Sequence, residues 1–341
     1  MKFKNFSILA VLALFAISSA LIVYFLSTPW SGRGSRTQVP MIADLETQIK
    51  DLGGFEIATG KNTLKVRPEA GTWVLASEDG FPADSAKVRE FLLNVMEAKL
   101  VEPKTALKAR HELLGLQDPA ETGSNARLLK LTNQKGENIG EIILGRTMAS
   151  TFEAPNGGTY VRKSGDDQTW LADRQIQAGL SLRDWVKTRL IDVPPSTIKK
   201  VRIEVEGEAP FEIIRSEDEK QHQLSEMPSG KKLKYASSVD DIAEAVSLIE
   251  FKSVRKAGQT GELPVKGRAI FETDTGFKPQ IEFRSDGTKT FVTVTVSGEG
   301  EAAKDVEDLK KVTAGWEFEV PQTELNGVLV KMSDLLEDAP A

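Results

Sequence analysis

The chain has no cysteine, only two histidines and three tyrosines, and no excess of positive charge. The missing cysteine excludes disulfides, thiolate nucleophiles, thiolate metal sites and lipid attachment through a cysteine. It leaves the compartment open, because a chain of this length can fold on its apolar core alone. His111 and His222 lie far apart, and neither has a second histidine at i+4. Zinc sites and serine triads need several such groups converging, so both are expected to be surface or structural residues. With 44 basic against 50 acidic residues the formal charge is −6, and more negative still once Lys2 and Lys4 are set aside. Such a body lacks the footprint that a phosphate backbone demands, which argues against nucleic acid as a partner.

One long apolar run is present. Residues 8–26 read ILAVLALFAISSALIVYFL, nineteen residues without a charge. As a helix they would span roughly 28 Å, close to the hydrocarbon thickness of a bilayer. Lys2 and Lys4 precede the run, and Tyr24 and Trp30 near its far end suit a membrane interface. The rival reading is a cleavable signal, whose apolar core normally spans roughly 7 to 15 residues. A cut after Ala20 would leave apolar residues 21–26 at the start of the mature chain, so a retained single-pass anchor in the cytoplasmic membrane is the expectation. The amino terminus is placed inside and the bulk of the chain outside, although Arg33 and Arg36 nearly balance the two lysines.

The rest reads as α+β. Residues 1–7 form a short tail, 8–26 the anchor, 27–44 a linker, 45–195 a first unit, 196–337 a second, and 338–341 a tail. In the first unit, residues 45–52 suggest a short helix, and 63–67 with 72–76 alternate as paired strands around a turn at 68–71. Asp84 then offers an N-cap to a helix whose Val88, Phe91, Leu92, Val95 and Met96 form one apolar stripe. Strands follow at 127–132, 140–144, 159–163 and 169–172. A capping box of Ser181 and Asp184 opens a helix burying Leu182, Trp185, Val186, Arg189 and Leu190, which Pro194 and Pro195 stop.

The second unit repeats this order. Strands at 199–205, 211–215 and 222–224 precede a helix capped by Ser238 and Asp241, with Val239, Ile242, Val246 and Ile249 on its apolar side. Strands at 268–272, 280–284, 290–296 and 316–320 and a closing helix at 322–336 complete it. A shift of 151 lays Phe91 on Ile242, Val95 on Val246, Ala98 on Ile249 and Leu100 on Phe251; a shift of 141 lays Arg127 on Arg268, and Trp316 answers Trp170. Two tandem related units of mostly antiparallel strands, with two helices each, are therefore expected, the alternative being a chance likeness of two α+β stretches.

No catalytic, cofactor or metal site emerges. Residues 54–62 (GFEIATGKN) resemble a phosphate-binding loop, but five residues rather than four separate Gly54 from Gly60, and Asn62 stands where a magnesium-binding hydroxyl is needed. Ser196 with Lys199 and Ser253 with Lys256 fit a serine–lysine pattern but lack its companion motifs in the right order. Asp166 with Asp167, residues 217–219, and Asp240 with Asp241 fit solvated turns or a helix's first turn. Trp73, Trp170, Trp185 and Trp316 fit a core.

Trp73-Val74-Leu75, Phe81-Pro82-Ala83-Asp84, the run LLGLQDP from Leu113 to Pro119, Ile143-Leu144-Gly145, Thr159-Tyr160-Val161-Arg162 and Leu182-Arg183-Asp184 together resemble a bacterial family known as domain of unknown function 4340. The likeness covers residues 60–200 well and the second half less distinctively. It implies one amino-terminal membrane segment and association with a gliding-type or exporter-type ABC transport system, hence an accessory subunit without an ATP site. The expectation is a non-enzymatic, membrane-anchored extracytoplasmic protein that binds an envelope membrane protein. Its rivals are an envelope hydrolase using dispersed carboxylates and a glycan- or lipid-binding module with a groove of exposed aromatics.

Overall fold

The computed structural model describes residues 38–150, 157–216, 221–259 and 263–339. The expected anchor at 8–26 and the acidic turn at 217–219 lie outside those residues. Among the described residues no helix is long and apolar enough to cross a membrane.

The described part is α+β, and all its strand pairs are antiparallel. A ten-stranded sheet contains β1 (Val39–Pro40), β2 (Leu52–Ala58), β3 (Thr63–Glu69), β4 (Thr72–Leu75), β5 (Phe81–Pro82), β6 (Lys99–Pro103), β7 (Arg127–Asn133), β8 (Asn138–Met148), β9 (Gly158–Arg162) and β10 (Thr169–Ala172). Its order is β1-β6-β10-β9-β8-β7-β2-β3-β4-β5. Helix α1 (Leu45–Gln48) precedes β2, α2 (Ser85–Glu97) joins β5 to β6, α3 (His111–Leu114) precedes β7, and α4 (Leu182–Trp185) follows β10.

An eight-stranded sheet contains β11 (Ile198–Val205), β12 (Phe211–Arg215) and β13 (His222–Leu224) from one stretch of chain. A short strand β14 (Lys231–Leu233) leaves the sheet, and α5 (Ser238–Ser247) leads back to it at β15 (Ser253–Lys256). Then come β16 (Val265–Thr273), β17 (Lys278–Ser285), β18 (Thr290–Ser297), α6 (Ala303–Thr313) and β19 (Trp316–Val320), in the order β13-β12-β11-β16-β17-β18-β19-β15. After α7 (Gln322–Val328) and α8 (Met332–Leu335), β20 (Leu336–Asp338) pairs with β14 as a separate ribbon.

Setting aside β1, β5 and the ribbon, each place in one sheet is filled by the strand of the same rank in the other. In both, one helix carries the chain from one edge towards the opposite one. Val88, Phe91 and Val95 of α2 are buried, as are Val239, Ile242 and Val246 of α5, in keeping with the shift of 151. The strand shift of 141 is one residue out. Phe55 and Ile57 face Leu131 and Leu129, whereas Val201 and Ile203 face Phe271 and Ala269, a spacing of 140. One residue matters because it would exchange the buried row for the half-exposed one. The ladder likewise sets Phe318, not Trp316, where Trp170 stands, since Val161 faces Trp170 and Val292 faces Phe318.

Local chemistry explains the other departures. Asp84 caps α2 by accepting the Ala86 amide at 2.9 Å, as its position suggests. The Ser181–Asp184 box forms, but α4 ends after one turn instead of reaching Leu190. Lys87 takes the carbonyls of Arg183 and Val186 at 2.6 and 2.8 Å, and Val186 turns extended. Arg189, expected inward, points out to Asp192 and Glu250. In α5 the cap position is Ser237, and Ser238 is already helical. The closing helix splits at Leu329, whose backbone leaves helical geometry. Val39 and Pro40 of the expected linker pair with Leu100 and Lys99, so the first sheet starts before residue 45.

A buried aromatic seam joins the two sheets. Phe81 of β5 meets Phe251, just before β15, and Trp316 and Phe318 of β19 edge-on, with centroids 6.1, 5.1 and 6.0 Å away. Such T-shaped contacts add to the burial of ring area. The chain after α4 then lies along the segment between α5 and β15: the Leu190 amide donates to the Ile249 carbonyl at 2.7 Å and the Phe251 amide to the Thr188 carbonyl at 2.9 Å. One continuous apolar core therefore runs through both sheets.

The polar face of the second sheet carries a ladder of charges. Lys200, Glu212, Arg202, Glu204, Arg268, Glu282 and Arg284 alternate in sign across β12, β11, β16 and β17, with contacts of 2.7 to 3.9 Å. Burial pushes the Glu282 carboxyl up, but hydrogen bonds from Arg268 and Arg284 outweigh it, and its pKa falls below the ordinary glutamate value. At Glu212 the Lys200 contact is the leading cause of a downward shift.

Two outcomes follow. Phe81→Ala should lower the unfolding free energy by about 3–5 kcal/mol in urea titration, whereas a loss below about 1 kcal/mol would show that the seam is not a true core contact. Because the Glu282 and Glu212 pKa values are depressed in the folded state, their stabilisation is complete above the unfolded pKa of about 4.3 and is lost as pH falls through the lower folded values. The urea midpoint should drop below about pH 4.3, and a Glu212→Gln, Glu282→Gln variant should show a shallower drop.

Candidate functional site

The residues singled out in the sequence are mostly used for folding. His222 is buried, with Nδ1 2.8 Å from Asp240 Oδ1 and Nε2 donating to the Ile198 carbonyl at 3.1 Å, which staples β13 to α5 and β11. Asp240 also accepts the His222 amide at 3.0 Å. Ser253 and Lys256 lie on β15 rather than one helical turn apart, and Ser196 sits in a 3-10 turn leading into Lys199 on β11. Residues 54–58 of the loop-like GFEIATGKN run belong to β2. Trp185 packs between Phe55 and Phe91 at 5.2 and 5.0 Å. Among the described residues no three His, Asp or Glu side chains gather as a metal site.

Two hollows lie on the first sheet. The smaller, about 520 Å³, is lined by His111, Gln117, Asp118, Glu121, Arg162 and Asp167 among others. His111 is buried and donates through Nε2 to the Asp167 carbonyl at 2.9 Å. Arg162 is also buried and donates to the carbonyls of Leu116 and Asp166 at 3.2 and 3.0 Å. The LLGLQDP and TYVR stretches thus meet here, with Arg162 clamping the loop and the following turn. Three carboxylates from two segments converge, as a hydrolase would require. Asp118 accepts the Ala120 amide at 2.9 Å, Asp167 lies 3.5 Å from Lys108, and Glu121 is exposed. The carboxyls that burial pushes up, Glu78 with help from Asp79 and Glu324 with help from Glu250, line neither hollow.

The larger hollow is a groove of about 1,070 Å³ whose charged lining, among the described residues, is five cations, Lys87, Arg127, Arg146, Arg174 and Arg183, against Glu90 and Asp184. Arg127 donates to the Ala178 carbonyl at 2.7 Å, Arg174 pairs with Glu97 at 2.6 Å, and Arg174 Nε is buried with no acceptor among the described residues. Arg146 reaches the groove through a β-bulge. Leu144 faces Val161 and Thr147 faces Thr159, so Gly145 and Arg146 together oppose Tyr160 alone. A bulge of this kind re-aims a side chain. A Cβ on Gly145 would sit 2.4 Å from the Leu114 carbonyl oxygen, so only glycine fits. Gly115 adopts a left-handed φ of 66° to end α3, and the Arg146 stem passes within 3.1 Å of where its Cβ would be. The LLGLQDP stretch, through Gly115, and two more of the quoted stretches, through Leu144-Gly145 and Arg183-Asp184, thereby converge on this groove.

The family described as Domain of unknown function (DUF4340) matches residues 73–267, more than half of the chain. The chain belongs to this family. No curated protein and no solved structure matches it. The family match runs past the expected limit near residue 200, through α5 and β15 to Gly267 in β16, so the region it spans includes Phe81 and Phe251 of the aromatic seam and the first strands of the second sheet, but not Trp316 or Phe318.

The groove cations come from separate segments and were not foreseen. Their one local signal is Gly145-Arg146, a glycine interrupting the apolar run of β8 immediately before an arginine. Gly145→Val should cost about 1–3 kcal/mol of stability by crowding Leu114, while Arg146→Ala should stay within about 0.5 kcal/mol of the parent. Thermal unfolding of both variants checks this, and equal losses would contradict the bulge's structural role.

Proposed function

We propose that this chain is a non-catalytic, membrane-anchored extracytoplasmic subunit that binds another envelope membrane protein, as an accessory or scaffold component of an ABC-type transport complex. The observation that carries the reading is the groove's composition: cations, glycines and amides without a nucleophile paired to a base, on a body preceded by a run of nineteen uncharged, mostly apolar residues. Binding surfaces need shape and charge, whereas catalysis needs a nucleophile or an acid–base pair held in place. The resemblance to an anchored, transporter-associated family supports the same reading. We also infer that the two sheets descend from one duplicated unit; the matching strand ranks and the shared burial of α2 and α5 support this.

The hydrolase reading is favoured only by the convergence of Asp118, Glu121 and Asp167 on the smaller hollow. Two of these are occupied by the Ala120 amide and Lys108 and the third is exposed, so none is the free buried carboxyl that acid catalysis uses. Gentle detergent extraction followed by pull-down of the full chain should retain a membrane partner. Recovery as a free monomer, or from the aqueous phase with an amino terminus after Ala20, would refute the reading.

A further inference from the structure

We propose that the groove on the first sheet binds a carboxylate-rich segment of the partner protein, with Arg127, Arg146, Arg174, Arg183 and Lys87 as its cationic lining. This deepens the subunit reading above and rests on it.

The first argument is compensation of charge. On the second sheet every cation of the ladder has a carboxylate within 3.9 Å. In the groove, which occupies a sheet of the same strand order, only Arg174 has one among the described residues. Lys87 and Arg127 are held by backbone carbonyls, which orient a cation without cancelling its charge. Arg146 and Arg183 are exposed and unpaired among the described residues. Among the described residues the groove is net positive, five cations against two carboxylates, which on a chain of charge −6 is not a consequence of composition, and such a groove selects an anion.

The second argument is how Arg146 is presented. The β17–β18 hairpin, of the same rank in the second sheet, runs in unbroken register over eight pairs. The bulge is therefore not required by the sheet, and its effect on the first sheet is to turn Arg146 into the groove.

The third argument is the kind of anion. Four of the five cations are arginines, whose planar forks match carboxylates and phosphates alike. The groove, at about 1,070 Å³, lies at the upper end of small-ligand sites, which run to about 1,000 Å³, and suits several residues of extended chain better than one compact phosphate.

The test uses the full chain in neutral detergent and measures anisotropy of a labelled peptide of about ten glutamates. The peptide should bind, binding should weaken with added salt, and Arg146→Glu with Arg183→Glu should weaken it about ten-fold or more while leaving the thermal midpoint unchanged. Equal binding by parent and double variant overturns the proposal. So does failure of the glutamate peptide where inorganic phosphate or phosphatidylglycerol vesicles bind in an Arg146-dependent manner. The partner pull-down separates the two readings. Equal capture by parent and double variant removes the groove's role and leaves the subunit reading standing. Arg146-dependent peptide binding without any captured partner removes the subunit reading and leaves the groove's chemistry standing.

Discussion

The contact of Phe81 with Phe251, Trp316 and Phe318 is the constraint on which the rest of the molecule depends. Phe81 opens β5, an edge strand of the first sheet, three residues before the Asp84 cap, so fixing its ring fixes where α2 starts. Helix α2 in turn supplies Phe91 to the Phe55–Trp185 cluster and Lys87 to the end of α4. The shortness of α4 releases the chain to lie against the segment leading into β15, which returns to the same seam through Phe251. Apolar burial sets this arrangement, and the hydrogen bonds along it make it specific.

The two sheets share a strand order and use charge in opposite ways. The second sheet covers its polar face with alternating carboxylates and guanidiniums, an arrangement that satisfies each charge within the chain and repels none of its neighbours. The first sheet gathers cations around a groove and leaves most of them to backbone carbonyls or solvent.

Much of the fold was legible in the sequence. Strands β10, β12, β13 and β19 were read to their ends, because alternation bounded by turn residues has few other solutions. Strand β2 was missed because Gly53 and Gly54 interrupt its pattern; both are demanded by close backbone approach, to Asn133 and Val66. Strands β6 and β15 were missed because they are only five and four residues long, too short for an alternating pattern to stand out. Helix α6 was missed because its buried side is reduced to Val306 and Thr313. The family was legible through its short motifs. The groove was not, since its cations come from five separate segments and only the fold brings them together.

Equilibrium unfolding in urea, followed in parallel by tryptophan fluorescence and far-ultraviolet circular dichroism, tests the central claim most directly. Four of the five tryptophans lie on or against the continuous core that joins the sheets. If the aromatic seam makes the two sheets one body, the two signals should trace a single coincident transition. Two separated transitions, one for each sheet, would contradict it.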